Sequence, residues 1–387
     1  MQKLKILILN YEYPPLGGGA GIISRYQAEK LAEFGHKVDV ITCSEKNKFY
    51  IDDVNSNLRI IRLNAHRPYY FKSGIREKID WILKAEKYTE NLSENQYDFC
   101  LAHFSIPGGY VAEKLKKRIS LKYAVISHAH DIPWFCIEEM FWYHLFSYPI
   151  IKKVCNNASL LFVQSNAMEV NAKNFLKNQQ EKLVKIPNGS DAMSFFKPEN
   201  KTKSDKIKIV FAGRLVKQKQ PLFALEVAAT LKKQNVNFEL IFAGDGPLRK
   251  KIEYRIQKLN LNDCVTIKGW ISKAEIVALY HQSDILLSTS QNEGMSIAIL
   301  EALFSGLYVI TTGVSGNPEL IKHQINGEIC MTDPSAFAKA IKYYISDVEE
   351  NQERKEFYNN FIEKFEWTKL VKEYESAILN SLNDETL

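Results

Sequence analysis

Short apolar runs alternate with helix-length amphipathic segments along nearly the whole chain, and few folds accept that alternation. In the first half, residues 4–9 read as a strand, followed by a glycine-rich loop, a helix over 22–34 and a strand over 38–42. Strand-like 99–102, a helix over 110–117, strand-like 123–127, strand-like 160–164 and a helix over 167–175 continue the pattern. Such a rhythm implies a parallel sheet with helices on both faces. After Ile186-Pro187-Asn188-Gly189 the polar stretch 197–206 reads as a linker, and the rhythm restarts. Strands are expected over 207–212, 238–243, 265–268, 285–288 and 308–311, with helices over 221–233, 248–259 and 295–304 between them. Ser272 and Glu275 make a capping box for one further helix. The expectation is therefore an α/β chain of two doubly wound domains, 1–195 and 205–365, facing each other across a cleft. Ligands in such sheets bind beyond the carboxyl ends of the strands, so the residues just after each strand carry the information.

At 387 residues, 45% apolar and 25% charged, the chain is long enough for two substantial cores. A net charge of +6 is too small to argue for nucleic acid, although it favours an anionic membrane surface or phosphorylated substrates. The cysteines Cys43, Cys100, Cys136, Cys155, Cys264 and Cys330 are scattered and contain no C-x-x-C pair, so a reducing cytoplasm is the expected home. The basic start Met1-Gln2-Lys3 precedes too short an apolar run for a signal peptide and is read as leading into the first strand. No apolar run approaches the roughly 18 residues of a transmembrane helix.

The most specific pattern is a pair of acids eight positions apart, Glu293 and Glu301, where an apolar strand meets a helix. Glu293 falls in the strand-to-helix loop and Glu301 about two turns inside. A helical rise of roughly 1.5 Å per residue spreads the two over on the order of 10 Å, comparable to a sugar nucleotide from hexose to ribose. Between them the helix N-terminus directs unpaired N–H groups at whatever lies over the strand, which suits a diphosphate. After the strand at 207–212 come Arg214 and Lys219, a fork and a point charge suited to a leaving diphosphate. Gly244-Asp245-Gly246-Pro247 makes a turn at the next strand end.

After the first strand, Pro14-Pro15-Leu16-Gly17-Gly18-Gly19-Ala20-Gly21 allows close backbone approach to a phosphate or sugar. The dinucleotide fingerprint does not fit, because its third glycine would fall on Ile22 or Ser24 and no acid ends the second strand at Thr42. That disfavours a dehydrogenase. His103 and the cluster His128-Ala129-His130-Asp131 lie at further strand ends. On an extended segment His128 and His130 would point to opposite faces, which disfavours a metal site and leaves one of them for a sugar hydroxyl. The aromatic segment 133–148, with Lys152 and Lys153 beyond it, suits either a membrane interface or a helix buried against the sheet. The nearby basic run Lys114, Lys116, Lys117, Arg118 and Lys122 reads as a solvated helix face.

Taken in order, these motifs resemble the family 4 retaining glycosyltransferases of GT-B fold over essentially the whole chain. The match runs through the Gly17–Gly21 loop, His128, Ile186-Pro187-Asn188-Gly189 with Asp191, Gly213-Arg214-Leu215 with Lys219, Gly244–Pro247, and the Glu293–Glu301 element. Phe365-Glu366-Trp367 resembles the point where the chain crosses back, so a helix within 366–387 is expected to rejoin the first, acceptor-binding domain. The resemblance implies transfer of a hexose from a UDP- or GDP-linked donor to a glycan acceptor, expected to be lipid-linked, in surface polysaccharide biosynthesis. It assigns catalytic roles to Glu293, Arg214, Lys219 and His128. Donor contacts fall to Gly17, Gly18, Gly19, Arg214, Lys219, Gly244, Gly246, Trp270, Ile271, Glu293, Gly294, Met295, Ser296 and Glu301, with Glu301 on the ribose and Trp270 and Ile271 framing the base. It also implies no metal and no cofactor, because the basic pair and the helix N-terminus offset the leaving-group charge. Nucleic acid is not an expected partner; a cytoplasmic protein in peripheral contact with an anionic membrane is. The chain departs from the family at Gln220, where glycine is usual, and at Gly294-Met295-Ser296, where Gly-x-Pro is frequent. A nucleotide-sugar epimerase and a non-catalytic sugar-nucleotide-binding subunit are the competing readings; the intact Arg214, Lys219, Glu293 and Glu301 argue against the second.

Overall fold

The computed structural model describes residues 2–70, 73–196, 206–347 and 352–383. It divides into two compact units, Met1–Asn188 together with Trp367–Leu387, and Gly189–Glu366. Residues 197–205 of the expected linker lie outside the described residues. Residues 189–195, given to the first domain by the sequence division, group with the second unit.

The first unit holds strands β1 (Lys5–Leu9), β2 (Lys37–Cys43), β3 (Tyr50–Asn55), β4 (Leu58–Leu63), β5 (Phe99–His103), β6 (Tyr123–Ile126), β7 (Leu160–Val163) and β8 (Leu183–Lys185). They form one sheet in the order β3-β4-β2-β1-β5-β6-β7-β8. Every pairing is parallel except β3 with β4. Helices α1 (Gly19–Glu33), α2 (Ile75–Thr89), α3 (Tyr110–Ile119), α4 (Ile137–Asn157) and α5 (Asn166–Leu176) connect them. Ile6, Leu7, Ile8 and Leu9 of β1 and Leu101 and Ala102 of β5 are all fully buried, as expected of central strands covered on both faces. The hairpin β3–β4 and helix α2 were not foreseen. β3 reads YIDDVN and is largely exposed at the sheet edge, so it carries no apolar run to announce it.

The second unit holds β9 (Ile207–Ala212), β10 (Phe238–Ala243), β11 (Val265–Gly269), β12 (Ile285–Ser288), β13 (Tyr308–Thr312) and β14 (Gly327–Cys330), in the order β11-β10-β9-β12-β13-β14. All its pairings are parallel. Its helices are α6 (Ala192–Phe195), α7 (Pro221–Lys233), α8 (Arg249–Lys258), α9 (Lys273–Gln282), α10 (Ile297–Phe304), α11 (Pro334–Asp347) and α12 (Gln352–Phe365). The capping box foreseen for α9 is present: the Glu275 amide donates to Ser272 Oγ at 3.3 Å, and the Ser272 amide donates to Glu275 Oε2 at 2.8 Å. Helix α10 starts two residues later than expected, with Ser296 as its N-cap, so Glu301 lies about one and a half turns inside and not two.

The last helix, α13 (Trp367–Asn383), packs in the first unit. Trp367 stacks on Tyr26 with ring centroids 5.4 Å apart, and Tyr374 meets Phe162 at 4.6 Å. A buried polar link pins it further. His36 Nδ1 accepts the Leu4 amide at 3.0 Å, so the ring proton sits on Nε2 and is donated to Glu375 Oε1 at 2.8 Å. Both residues are buried, and removing one would strand the other without a partner. Glu375→Ala is expected to lower stability by about 2–3 kcal/mol in urea unfolding, while Glu375→Leu combined with His36→Leu costs less than the two single changes added together. Simple additivity would show that the pair does not act as a unit.

Candidate functional site

In the second sheet β9 pairs with β10 on one side and with β12 on the other, so the strand order reverses between β9 and β12. Such a reversal of strand order is where ligands bind in open α/β sheets, at the carboxyl ends of the strands. Lys219 follows β9 and Glu293 follows β12, and there the Lys219 ammonium donates to Glu293 Oε1. Ser290 Oγ donates to the same oxygen at 2.6 Å. The ion pair is largely shielded, with side-chain exposures of 18% for Lys219 and 9% for Glu293. At that burial, loss of either partner leaves a charge that solvent cannot fully recover.

The loops around this pair are cross-braced. Gln218 Nε2 donates to the Asn292 carbonyl at 2.8 Å, and the Gln291 amide donates to the Gln218 carbonyl at 2.8 Å. Thr289 Oγ1 donates to the Lys219 carbonyl at 2.8 Å, and Thr312 Oγ1 to the Ser290 carbonyl at 2.6 Å. Gln220 takes a left-handed conformation, φ 48°, as the N-cap of α7, ahead of Pro221. That conformation is why glycine is the usual residue there; a side chain tolerates it at a cost of about 1–2 kcal/mol.

Just beyond Glu293, α10 begins at Ile297 with no side-chain cap on its N-terminus and no acid in its first turn. Its first amides are thus left for an anion. Arg214 is exposed, and its side chain makes no ion pair among the described residues. Glu301, half-buried on α10, lies near Tyr280, whose phenol is pushed well above its usual range by burial and then by the Glu301 charge.

The Gly244–Pro247 turn braces this site from below. The Leu215 amide donates to the Asp245 carbonyl at 3.0 Å, and the Gly244 amide to the Gly269 carbonyl at 2.8 Å. A Cβ on Gly244 would lie 1.9 Å from the Gly213 carbonyl oxygen, so only glycine lets the two strand ends approach. Trp270, exposed, and Ile271, half-buried, follow β11 alongside. The sequence-predicted residues Arg214, Lys219, Gly244, Gly246, Trp270, Ile271, Glu293, Gly294, Met295 and Ser296 thus follow β9, β10, β11 and β12 in the second unit, with Glu301 on α10 behind them. A groove of about 360 Å³ lined by Leu320, Phe357 and Phe361 includes none of them.

Gly17, Gly18, Gly19 and His128 belong to the first unit. There β1 lies between β2 and β5, which makes a second reversal point. Glu12, just past β1, accepts the Gly18 amide on Oε2 at 3.1 Å. Helix α1 starts at Gly19, three residues before the expected Ile22, so the glycine stretch is half loop and half first helical turn.

The histidine cluster differs from the extended segment expected of it. The His130 amide donates to the His128 carbonyl at 2.9 Å around Ala129, whose φ is 72°. This is a γ-turn with positive central φ, a strained conformation, so the opposite-faces argument for His128 and His130 does not apply. Asp131 holds the turn closed: Oδ1 accepts the Ser127 hydroxyl at 2.9 Å and the His128 amide at 2.6 Å, while Oδ2 accepts the Ser105 amide at 2.9 Å. His128 Nε2 lies 3.0 Å from His103 Nδ1 with the rings stacked. Burial pushes His128 down to about 4, against the pull of Asp131 and Glu12, and drives His103 well below its usual range. The pair is therefore a contact between neutral rings, one donating and one accepting.

Helix α4 carries much of the aromatic segment and has one buried and one exposed side. Ile151, Val154 and Cys155 are fully buried against the sheet, whereas Trp142 is 69% and Phe146 78% exposed. Two charged residues near the first site escaped the sequence reading altogether: Arg67 after β4 and Lys78 on α2. Neither belongs to a motif, and only their position near the β1 end distinguishes them.

Residues 17–193 match Glycosyltransferase Family 4, and residues 193–364 match Glycosyl transferases group 1. The N-acetyl-alpha-D-glucosaminyl L-malate synthase of Bacillus anthracis is 25% identical over 403 residues, covering 99% of this chain and 98% of that protein. The GalNAc-alpha-(1->4)-GalNAc-alpha-(1->3)-diNAcBac-PP-undecaprenol alpha-1,4-N-acetyl-D-galactosaminyltransferase of Campylobacter jejuni is 29% identical over 363 residues, covering 88% and 92%. Among solved structures, the sucrose-phosphate synthase of Thermosynechococcus elongatus aligns with a TM-score of 0.81 at 20% identity, covering 97% of this chain and 98% of that one. That likeness speaks for the fold.

The depressed His128 gives a pH dependence with a definite sign. Because its folded value lies below the unfolded one, the unfolded chain takes up the proton first, and stability is lost as pH falls from 6.5 towards 4. Urea midpoints measured across that window should decline in the wild-type protein and decline less in His128→Gln, with His103 and His144 sustaining the remainder. An equal slope in both would remove His128 as a source.

Proposed function

The chain is a glycosyltransferase of GT-B type, pairing a Glycosyltransferase Family 4 half with a Glycosyl transferases group 1 half, and we propose that it moves a hexose from a UDP- or GDP-linked donor to an anionic, lipid-linked glycan acceptor with retention of anomeric configuration. The observation that carries this reading is the Lys219–Glu293–Ser290 knot at the β9/β12 reversal, beside the uncapped start of α10. A nucleoside diphosphate laid along those strand ends meets Lys219 and Arg214 as cations and the α10 amides as donors. Glu301 lies further along α10, where it would accept from ribose hydroxyls, and Glu293 would accept from hydroxyls of the transferred sugar.

The chemistry follows from the charge. Breaking the bond between the sugar C1 and the diphosphate leaves negative charge on the leaving oxygen, which Lys219, Arg214 and the helix N-terminus stabilise. The acceptor oxygen forms the new bond to C1, and its proton passes to the departing phosphate oxygen. Glu293, already accepting from Lys219 and Ser290, orients the sugar and is not the nucleophile. Under this reading the basic pair serves in place of a metal ion. His128, neutral near pH 7, contributes a hydrogen bond in the first unit.

The acceptor class draws on the relatives: one is named for L-malate and the other for an undecaprenol-diphosphate-linked glycan, both of them anionic. The exposed stripe of α4 fits a lipid-linked substrate. Trp142, Phe146, Ile150 and Lys153 share one face, apolar side chains leading to a cation, and such a face lies comfortably in an anionic membrane interface. No described helix is long and apolar enough to cross a membrane.

Arg214→Ala and Lys219→Ala should slow transfer, and Glu301→Ala should weaken donor binding, each by about 2–4 kcal/mol, read from steady-state kinetics and donor titration with UDP- and GDP-sugars. Wild-type behaviour in all three would overturn the site. Sedimentation with anionic vesicles should pull down the wild-type protein and much less of Trp142→Glu combined with Phe146→Glu; equal sedimentation would remove the membrane face.

A further inference from the structure

At the carboxyl end of the first sheet two carboxylates, Glu12 and Asp131, stand beside two cations, Arg67 and Lys78, but pair with them poorly. Asp131 is spent on the Ser127, Ser105 and His128 donors that close the γ-turn. Glu12 accepts the Gly18 amide on one oxygen, and its other oxygen faces Arg67 Nη2 at 3.4 Å. Arg67 is poorly served in return. Its side chain is 1% exposed, its second contact, Nη1 to the Tyr11 carbonyl, is also 3.4 Å, and its Nε is buried without an acceptor. Charge-assisted bonds to a guanidinium normally run about 2.7–2.9 Å.

Lys78 comes to the same place from α2. Its ammonium has no carboxylate within ion-pair distance among the described residues and sits over the rings of Tyr11, at 5.6 Å, and Tyr143, at 5.9 Å. Burial lowers its proton affinity, with Glu12 and Asp131 pulling the other way. A shielded ammonium without a counter-ion, next to a buried guanidinium with long contacts, costs free energy until an anion arrives. The spot is continuous with the histidine pair: Tyr11 packs on Phe104 at 5.3 Å, and Phe104 on His128 at 4.5 Å.

We propose that Arg67 and Lys78 form an oxyanion subsite, binding a phosphate or carboxylate group that the acceptor carries, at the strand ends that also present His128. The proposal rests on the transferase reading and sharpens it. The acceptor is held by its anion in the first unit, so a neutral glycan of the same sugars is a poor substrate. Arg67 supplies a fixed positive charge from the floor and Lys78 a point charge with three donors from the side, a combination suited to an oxyanion with several acceptor lone pairs. Either of two sources meets this chemistry, a diphosphate linking a glycan to lipid or a small hydroxy acid.

The test uses the full chain and two probes, inorganic pyrophosphate for the first source and L-malate for the second, followed by calorimetry and thermal shift. Because pyrophosphate also fits the donor site, it is titrated into Arg214→Ala, whose exposed side chain is dispensable for folding, with and without Lys78→Met. Lys78→Met keeps the aliphatic stem over the two tyrosines, and Lys78→Arg restores the charge. At least one probe should bind tenfold or more weakly to the Lys78→Met protein and recover with Lys78→Arg; which probe does so names the source. Equal binding of both probes to both proteins, or an anion effect abolished by Arg214→Ala alone, would overturn the subsite. Titration of the wild-type chain with nucleotide sugars stands apart: failure there sinks the transferase reading and leaves the anion result intact.

Discussion

Lys219 and Glu293 are 74 positions apart in sequence and meet as a shielded ion pair where the second sheet reverses its strand order. Much of the site geometry follows from bringing them together. β9 and β12 must be neighbours, their following loops must turn back towards each other, and α10 must start close behind Glu293. The pair is not an efficient stabiliser, since two charges lose hydration on being shielded and recover part of it through each other and Ser290. Its value is positional. It places an ammonium and a carboxylate side by side at one point of the sheet, where a ligand with an anionic group next to a hydroxyl-bearing group would engage both.

The backbone beneath the pair is built for close approach. Gly244 brings the ends of β9 and β10 within a distance that a Cβ at that position would block, and the turn after β10 supports the loop after β9. The first unit uses the same device differently. Its reversal point is closed by a strained γ-turn at Ala129, fixed by the four donors that surround Asp131, and lined by two histidines that burial keeps neutral. One unit thus offers cations and helix amides, and the other neutral hydrogen-bonding rings beside Arg67 and Lys78.

What was legible in the sequence was whatever local chemistry dictates. β1, β5, β9, β10 and β12 are apolar on both faces and stand out as runs, and Ser272 with Glu275 marks the start of α9 unambiguously. The donor-side residues were legible because each follows such a strand. The edge hairpin β3–β4 was not, because a strand at the sheet margin has little apolar surface to display. The γ-turn at Ala129 escaped because positive φ is normally announced by glycine or asparagine, and here tertiary bonds to Asp131 impose it. Arg67 and Lys78 escaped for a similar reason: an isolated cation acquires meaning only once the fold shows what surrounds it. Gln220 shows the converse, a departure visible in sequence whose cause, a left-handed N-cap, appears only in the structure.

The central claim is that the Lys219–Glu293 pair forms part of a nucleotide-sugar site, and a double-mutant cycle read by donor titration tests it most directly. UDP- and GDP-sugars are titrated by calorimetry into the wild-type chain, Lys219→Met, Glu293→Gln and the double variant, with folding checked by urea unfolding in each. The account predicts that one nucleotide-sugar class binds the wild-type protein, that Lys219→Met weakens it at least tenfold, and that the two changes are non-additive because the residues share a hydrogen bond. Undiminished donor affinity in a folded Lys219→Met protein would contradict it.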